Sequence, residues 1–145
     1  MELPDDIYEQ VEILSEAGND AADDDDFEEA VAQWEQALAL LPEPATQWEA
    51  YVWLKASIGD GYYHLDDFAS AKSHLYDALN GPDGHESSFV HYLLGKTLIR
   101  LDDDKGVESL LKAYMLEGVD IFDSDDDEGA ESLKILQDRG LIDED

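Results

Sequence analysis

Apolar residues recur at helical spacing along most of this chain. Between residues 27 and 41 they fall at positions i, i+3, i+4 and i+7, as on one face of an amphipathic helix: Phe27, Ala30, Val31, Trp34, Ala37, Leu38 and Leu41. Similar spacing predicts further helices over residues 5–19, 45–64, 68–80, 87–101, 105–117 and 130–139. No stretch alternates apolar and polar residues over a useful length, so the pattern predicts an all-α fold.

Turn and capping residues separate the predicted helices. Asp26 precedes the second helix and is expected to cap it, because an aspartate at this position is favoured at the start of a helix. Pro42 ends that helix, and the segment 80–84, which contains Asn, Gly and Pro, interrupts the chain again. Ser87 or Ser88 is expected to cap the helix that follows.

The helices repeat in pairs. Four residues of one block recur 41 residues later in the next, so that Gly18, Phe27, Ala30 and Ala37 correspond to Gly59, Phe68, Ala71 and Ala78. A third, looser block has lost one residue between its helices and carries Gly95, Gly106, Leu110 and Ala113, with Gly106 in place of an alanine. A period of this size predicts stacked pairs of antiparallel helices joined by short turns.

These positions resemble the tetratricopeptide repeat, which has a glycine late in its first helix, an aromatic residue at the start of its second, and alanines and a proline after that. The matching residues are Ala17, Gly18, Phe27, Ala30, Trp34, Ala37 and Pro42 in the first block, and Gly59, Tyr62, Phe68, Ala71, Leu75 and Ala78 in the second, where Asp83 replaces the proline. The resemblance implies an all-α, short right-handed superhelix of about three antiparallel helix pairs.

The same resemblance gives the expected domain organisation. A single domain, 1–145, would contain repeats at about 5–42, 45–80 and 86–118, followed by an acidic loop and a capping helix over 119–145. A repeat array needs such a cap, because the last pair otherwise exposes its apolar face.

The chain is strongly acidic. Its 8 Lys and Arg residues stand against 38 Asp and Glu residues, which gives a formal net charge of −30. Such a surface disfavours nucleic acid and anionic membranes as direct partners and favours a basic partner. The alternative is a role in solvation, because an Asp-rich surface keeps a protein soluble and would suit a salty cytoplasm.

The composition also limits which chemical groups the chain can use and indicates its cellular compartment. The chain has no cysteine, which excludes disulfides, thiolate nucleophiles and cysteine-ligated zinc. Residues 1–6 lack a basic region followed by an apolar run, and no stretch approaches the roughly 18 consecutive apolar residues that a membrane helix requires. We therefore expect a cytoplasmic protein without a membrane partner.

Catalytic and metal-binding motifs are not recognisable in the sequence. His85 and His91 are six residues apart, whereas the histidines of a zinc-binding helix are four apart on one face. The acidic run 123–128 begins like a calcium loop, but it has glutamate where the loop requires glycine, and Lys134 stands where a bidentate glutamate is needed. We therefore predict no enzymatic activity, no cofactor and no metal site.

A second resemblance concerns function. Three sets of residues are similar to a group of small bacterial repeat proteins from polymorphic toxin loci of the Rhs type: Trp53-Leu54 with Ser57-Ile58-Gly59-Asp60, Phe89-Val90-His91 with Leu94-Gly95, and Lys112-Ala113-Tyr114-Met115 with Gly118 and Ile121-Phe122. The resemblance implies an immunity protein that binds and neutralises a cognate toxin domain. Near its C-terminus the chain departs from this group, because Asp-rich sequence replaces a more mixed segment.

In the tetratricopeptide family the first helix of each pair lines a concave binding face. The resemblance therefore implies an acidic and aromatic partner-binding surface made by Glu12, Asn19, Trp53, Asp60, Tyr63, His64, Phe89, Tyr92, Lys96 and Arg100. Aromatic rings anchor protein interfaces, and an acidic rim would steer a toxin domain with a basic surface toward them. Alternatively, Trp53 and Phe89 merely pack between neighbouring repeats.

Two other functions fit the same residues. One is a scaffold or chaperone-like module that captures a peptide; acidic peptides are disfavoured because only Lys96 and Arg100 are placed to grip a carboxylate, whereas basic or apolar peptides fit. The other is an acidic mimic of nucleic acid that occupies a nuclease or a DNA-binding protein. Binding by such a mimic would depend steeply on salt and little on the aromatic rings.

Overall fold

The computed structural model describes residues 3–142, apart from the side chain of Asp126. Within this range all regular elements are helices, which confirms the predicted all-α class: α1 Asp5–Asp23, α2 Phe27–Ala39, α3 Glu49–His64, α4 Phe68–Ala78, α5 Ser88–Arg100, α6 Lys105–Glu117, α7 Asp120–Asp123 and α8 Asp126–Asp138. Short 3₁₀ turns cover Ala45–Gln47 and Gly84–Glu86. None of the helices in the described range has the length and hydrophobicity needed to cross a bilayer.

The helices form two compact units. Helices α1 to α4 belong to the unit Met1–Gly84, and helices α5 to α8 belong to the unit His85–Asp145. The last three residues of the predicted capping region, 143–145, lie outside the described range.

Most helix bounds agree with the sequence pattern, and three differ. Helix α1 runs four residues beyond the predicted end at Asn19, because the alanines that follow are good helix formers. Helix α3 begins at Glu49 and not at Ala45, since a 3₁₀ turn follows Pro44. Helix α8 begins at Asp126, four residues before the predicted start, because carboxylates are favoured in the first turn of a helix.

Within the described residues, side chains cap three helices, and two of these caps, Asp26 and Ser87, are at predicted positions. Asp26, Asp67 and Ser87 each accept a hydrogen bond from the backbone N–H three residues later, which satisfies one of the free donors of the first turn. Asp25 and Asp66, directly before two of these caps, have left-handed backbone conformations with φ of 61° and 62°. Aspartate tolerates this conformation better than most residues, so the acidic turns also reverse the chain between paired helices.

Small residues allow the paired helices to approach closely. A methyl group on Gly18 would collide with the Trp34 ring, and one on Gly59 would lie 2.6 Å from Leu75 Cγ. In the second unit, a methyl group on the equivalent Gly95 would lie 2.7 Å from Leu110 Cγ of α6. The repeated glycines therefore stand at helix crossings, as the spacing predicts.

Trp34 holds the first unit together. Its ring is 4% exposed, and its indole N–H donates to the carbonyl oxygen of Ser15 on α1 at 3.3 Å. From the other side, a methyl group on Gly61 of α3 would lie 3.3 Å from Trp34 Cζ3. Helices α1 and α3 therefore both pack against α2, and they contact different edges of the same indole ring.

In the second unit, α7 and α8 cover α5 and α6. Phe122 of α7 and Leu136 of α8 are fully buried in one cluster with Leu110. The Phe122 ring meets the Tyr92 ring edge-on, with centroids 5.3 Å apart. This placement is the one expected of a segment that covers the apolar face of the last helix pair.

Two histidines are enclosed within the units. His74 is half-buried between α3 and α4, with its Nδ1 3.3 Å from Lys55 Nζ, and burial together with this ammonium group lowers its pKa. His91 is buried, and its Nε2 lies 2.8 Å from the carbonyl oxygen of His85. Burial lowers the pKa of His91 as well, against the opposing effect of that hydrogen bond.

We expect the free energy of unfolding to fall as the pH is lowered from about 7.5 to about 5.5. Both histidines have a folded-state pKa below the ordinary value of 6.5, so the unfolded chain binds protons more readily than the folded chain. Their contribution is therefore complete above the ordinary pKa and is lost as the pH falls toward the folded-state pKa. Urea denaturation at several pH values measures this slope.

Substitutions separate the histidine effect from that of the many carboxylates. His74→Asn and His91→Asn should each flatten the pH dependence between these limits, and the double variant should flatten it further. A wild-type urea midpoint that stays constant or rises on acidification over this range would contradict the prediction.

Candidate functional site

The outer face of α3 carries the most distinctive surface of the first unit. Trp53, Ser57, Asp60 and His64 follow one another at i, i+4, i+7 and i+11 and therefore share one face of the helix. Ile58, on the far side of the helix, is fully buried, which leaves this stripe toward solvent. Trp53 is 43% exposed. A large aromatic ring is thus displayed on a regular, well-packed helix.

The last turn of α3 contacts the first residue of α2. The His64 ring stacks on Phe27, with centroids 4.4 Å apart and planes inclined by 10°. His64 Nε2 also lies 3.4 Å from Asp60 Oδ1. The structure therefore brings together two residues of the predicted surface and connects them to the aromatic residue that opens the repeat's second helix.

Helix α1 presents an acidic stripe at the equivalent repeat positions. The 41-residue repeat pairs Glu12 with Trp53, Glu16 with Ser57 and Asn19 with Asp60. All three α1 residues are exposed. Both helices pack against α2 at Trp34, and these equivalent repeat positions are at least partly exposed on both. We call the surface formed by Glu12, Glu16, Asn19, Trp53, Asp60 and His64 the α1–α3 face.

The α1–α3 face has a negative electrostatic character. Lys55 and Lys72 are the only lysines or arginines in residues 3–84. The ammonium group of Lys55 is turned toward α4, where it lies 3.1 Å from Asp77 Oδ2. Lys55 therefore points away from the exposed stripe and Lys72 belongs to α4, so a cationic group from another molecule would be attracted to the stripe.

Sequence reasoning overlooked one aromatic residue on this surface. Tyr8 is exposed on α1 and lies one turn before Glu12. Tyr8 corresponds in the 41-residue repeat to Glu49, which lies one turn before Trp53 on α3. The helical spacing could have identified Tyr8 as exposed, because Tyr8 lies on a different face of α1 from the apolar residues Ile7 and Val11.

Three predicted surface residues are buried. Tyr63 is 5% exposed, and its ring meets the Phe68 ring edge-on at 5.3 Å. Tyr92 and Lys96 are buried in the second unit. In this conformation these side chains contribute to the interior of their units, whereas the other seven predicted residues are at least partly exposed: Glu12, Asn19, Trp53, Asp60, His64, Phe89 and Arg100.

The cationic residues of α5 bind the chain's own acidic segment. Lys96 Nζ lies 2.7 Å from Asp125 Oδ2 and 3.2 Å from Glu128 Oε2, and Arg100 lies 3.8 Å from Glu128. The Tyr92 hydroxyl donates to Asp125 at 2.5 Å. Burial, and then this hydrogen bond, raise the pKa of the Tyr92 hydroxyl far above its ordinary value. The acidic run predicted to form a loop thus fastens α7 and α8 to α5.

In the described part of the chain, no three potential metal ligands of the His, Cys, Asp or Glu type come together. The helix pairs with small residues at their crossings are compatible with the repeat architecture expected from the sequence. No protein-family model matches this chain, and no curated protein sequence matches it.

Proposed function

We propose that the protein is an immunity protein of the tetratricopeptide-like repeat class, a stoichiometric inhibitor that binds and neutralises a bacterial toxin domain with a basic surface. One observation carries the proposal: an exposed tryptophan, Trp53, lies between Glu49 and Asp60 on one face of α3, in a protein with a net charge of −30. The resemblance to immunity proteins of polymorphic toxin loci supplies the class of partner.

The α1–α3 face would act by occupying the toxin's basic surface. Carboxylates such as Glu12 and Asp60 would accelerate association by attracting a positively charged domain. Trp53 would then provide the anchor, because large aromatic side chains contribute most to binding when they are enclosed by the partner. Inhibition of this kind needs no catalytic group and no cofactor, and it requires the inhibitor to be present in the cytoplasm where the toxin acts.

Co-expression tests the proposal directly. We expect the neighbouring open reading frame to encode a toxin domain. Cells that produce this domain should survive when this protein is co-produced, and the two proteins should form a complex of defined stoichiometry. Undiminished toxicity, together with no complex in a pull-down, would reject the proposal.

Replacing Trp53 with alanine is expected to weaken binding to the toxin domain roughly tenfold, because truncation of an interface anchor costs more than about 1 kcal/mol. Isothermal titration calorimetry measures the change. Tyr76→Ala is the matched control, since it removes another exposed aromatic ring from α4, away from the α1–α3 face. If both variants bound the toxin domain with equal affinity, the binding site would lie outside the α1–α3 face.

Salt dependence distinguishes the proposal from an acidic mimic of nucleic acid. For an aromatic anchor, the difference between wild type and Trp53→Ala should persist at high ionic strength, where interactions between exposed charges are screened. A mimic would instead lose nearly all its affinity with salt and be insensitive to Trp53.

A further inference from the structure

Trp53 is the tryptophan that the fold leaves uncovered. The chain has 3 tryptophans, and Trp34 and Trp48 are 4% and 7% exposed, whereas Trp53 is 43% exposed. The indole N–H groups of Trp34 and Trp48 donate to the carbonyl oxygens of Ser15 and Pro42. These two rings therefore stabilise the first unit, and Trp53 is the ring that another molecule can reach.

The helix register places two carboxylates in line with this ring. Glu49, Trp53 and Asp60 stand at i, i+4 and i+11 on α3, positions that fall within about 40° of one another around the helix axis. Long side chains on a helix lean toward its N-terminus, which for Trp53 is the direction of Glu49. We call Glu49, Trp53 and Asp60 the Trp53 platform.

The backbone beneath the Trp53 platform is fixed by packing on the other faces of α3. Leu54 and Ile58 are fully buried. Gly59 brings α3 so close to α4 that a methyl group on it would lie 2.6 Å from Leu75 Cγ. A surface that is already ordered spares its partner the entropic cost of ordering it.

The lysines of the first unit do not neutralise the Trp53 platform. Lys55 Nζ lies 3.1 Å from Asp77 Oδ2 of α4, and Lys72 belongs to α4. Within the described residues, Glu49 forms no ion pair. An unpaired carboxylate one turn from an exposed indole therefore awaits a cation from outside the unit.

An indole beside a carboxylate fits a guanidinium group better than an ammonium group. The guanidinium group is planar, so it can stack on an aromatic face while its N–H groups donate to a carboxylate. Tryptophan is the side chain that attracts such a cation most strongly. A second copy of this chain is a poor occupant, because each copy carries a net charge of −30.

We infer that the Trp53 platform binds an arginine side chain of the partner protein, with the guanidinium group stacked on the indole and hydrogen-bonded to Glu49. Asp60, two turns beyond Trp53, adds negative charge that favours the same cation. The inference rests on the proposed function for the identity of the partner. It narrows the partner's contact from a basic surface in general to one that presents an arginine.

Indole N–H signals in ¹H–¹⁵N NMR spectra provide a direct test, because each of the 3 tryptophans gives its own signal. The probes are N-acetylarginine amide and its lysine and uncharged citrulline counterparts, all at one ionic strength, since salt alters weak charge interactions. We expect the arginine probe to shift the Trp53 signal saturably, with a Kd at least roughly threefold lower than that of the lysine probe. The citrulline probe should not shift it, and the signals of Trp34 and Trp48 should stay in place.

A pair of matched variants locates the carboxylate. Glu49→Gln should weaken binding of the arginine probe roughly threefold, the effect of losing one exposed charge pair, as measured on the same Trp53 signal. Glu28→Gln is the control, because Glu28 is also exposed in the first turn of a helix. Its neighbour Phe27 contacts His64 at the far end of α3, so this variant should leave the affinity unchanged. Circular dichroism verifies that both variants retain their helix content.

Two outcomes would overturn the inference. Equal affinity for the arginine and lysine probes would mean that the Trp53 platform recognises charge alone. Equal weakening in Glu49→Gln and Glu28→Gln would mean that the net charge of the protein attracts the probe. Neither measurement involves the toxin domain, so failure here would leave a positive co-expression result standing, and failure of co-expression would leave the binding of arginine measured.

Discussion

Replacing Trp34 with alanine is expected to destabilise the first unit by about 3–5 kcal/mol, the range observed when a large buried aromatic side chain is removed. The ring is 4% exposed and fills the space between α1 and α3. Glycines face it at Gly18 and Gly61, so no neighbouring side chain can expand into the cavity. The substitution also removes the hydrogen bond to the Ser15 carbonyl.

Urea denaturation followed by circular dichroism measures the effect, because tryptophan fluorescence would itself change. Trp53→Ala is a matched control that removes the same side chain from an exposed position. It should shift the free energy of unfolding by no more than about 0.5 kcal/mol. A similar loss in both variants would mean that Trp34 does not separate α1 from α3 in the way described.

The same pair of variants separates stability from binding. We expect Trp34→Ala to lower stability and Trp53→Ala to lower affinity for the partner without lowering stability. Because the α1–α3 face depends on the spacing set by Trp34, binding by Trp34→Ala should be compared only under conditions in which the variant is folded.

Replacing Lys96 with alanine is expected to destabilise the second unit by about 2–3 kcal/mol. The side chain is 5% exposed, and it contacts the carboxylates of Asp125 and Glu128. Its ammonium group also lies 5.1 Å from the centre of the Tyr92 ring. The two carboxylates are about one-third exposed, so water can hydrate them after the substitution, which keeps the cost below that of a fully buried ion pair.

Two further variants identify the cause. Lys96→Met keeps the apolar stem and should recover part of the lost stability. Arg100→Ala removes a half-exposed group 3.8 Å from Glu128 and should cost less than about 1 kcal/mol. Hydrogen exchange should show faster exchange over α7 and α8 in Lys96→Ala. Equal stability of the Lys96→Ala and Arg100→Ala variants would contradict a structural role for the buried lysine.

This prediction changes how binding data should be interpreted. Lys96 and Tyr92 were predicted as partner-binding residues, and the structure places both in contacts within the second unit. A loss of partner binding in a Lys96 variant would therefore follow from loosening of α7 and α8. Phe89 and Trp53 are better tests of a direct contact, because both are exposed.

Helix positions and crossings could be predicted because their signals are local or periodic. Apolar spacing located α2, α4 and α6 closely, and the 41-residue recurrence of glycine and alanine marked where paired helices touch. The caps at Asp26 and Asp67 are local in the same sense, since each involves a backbone group three residues away. Such features depend on residues close in sequence or on a repeated register.

Burial and ion pairing within the candidate site could not be obtained in this way. Trp53 and Tyr63 lie ten positions apart on the same helix and look alike as aromatic residues, yet one is exposed and the other is enclosed beside Phe68. Lys96 pairs with Asp125, 29 residues away. The sequence alone does not indicate which of several neighbouring carboxylates would be its partner.

The order of residues thus decides which segments become helices, where they cap and which small residues meet at crossings, because these depend on backbone geometry and spacing. The tertiary structure decides which aromatic and charged side chains face solvent, because exposure depends on what another helix covers. Tyr63, Tyr92 and Lys96 are enclosed by packing, whereas Trp53 and Met115 are left uncovered. Helical periodicity alone does not determine which of these side chains are enclosed and which are exposed. The exposed ones form the surfaces on which a partner can bind.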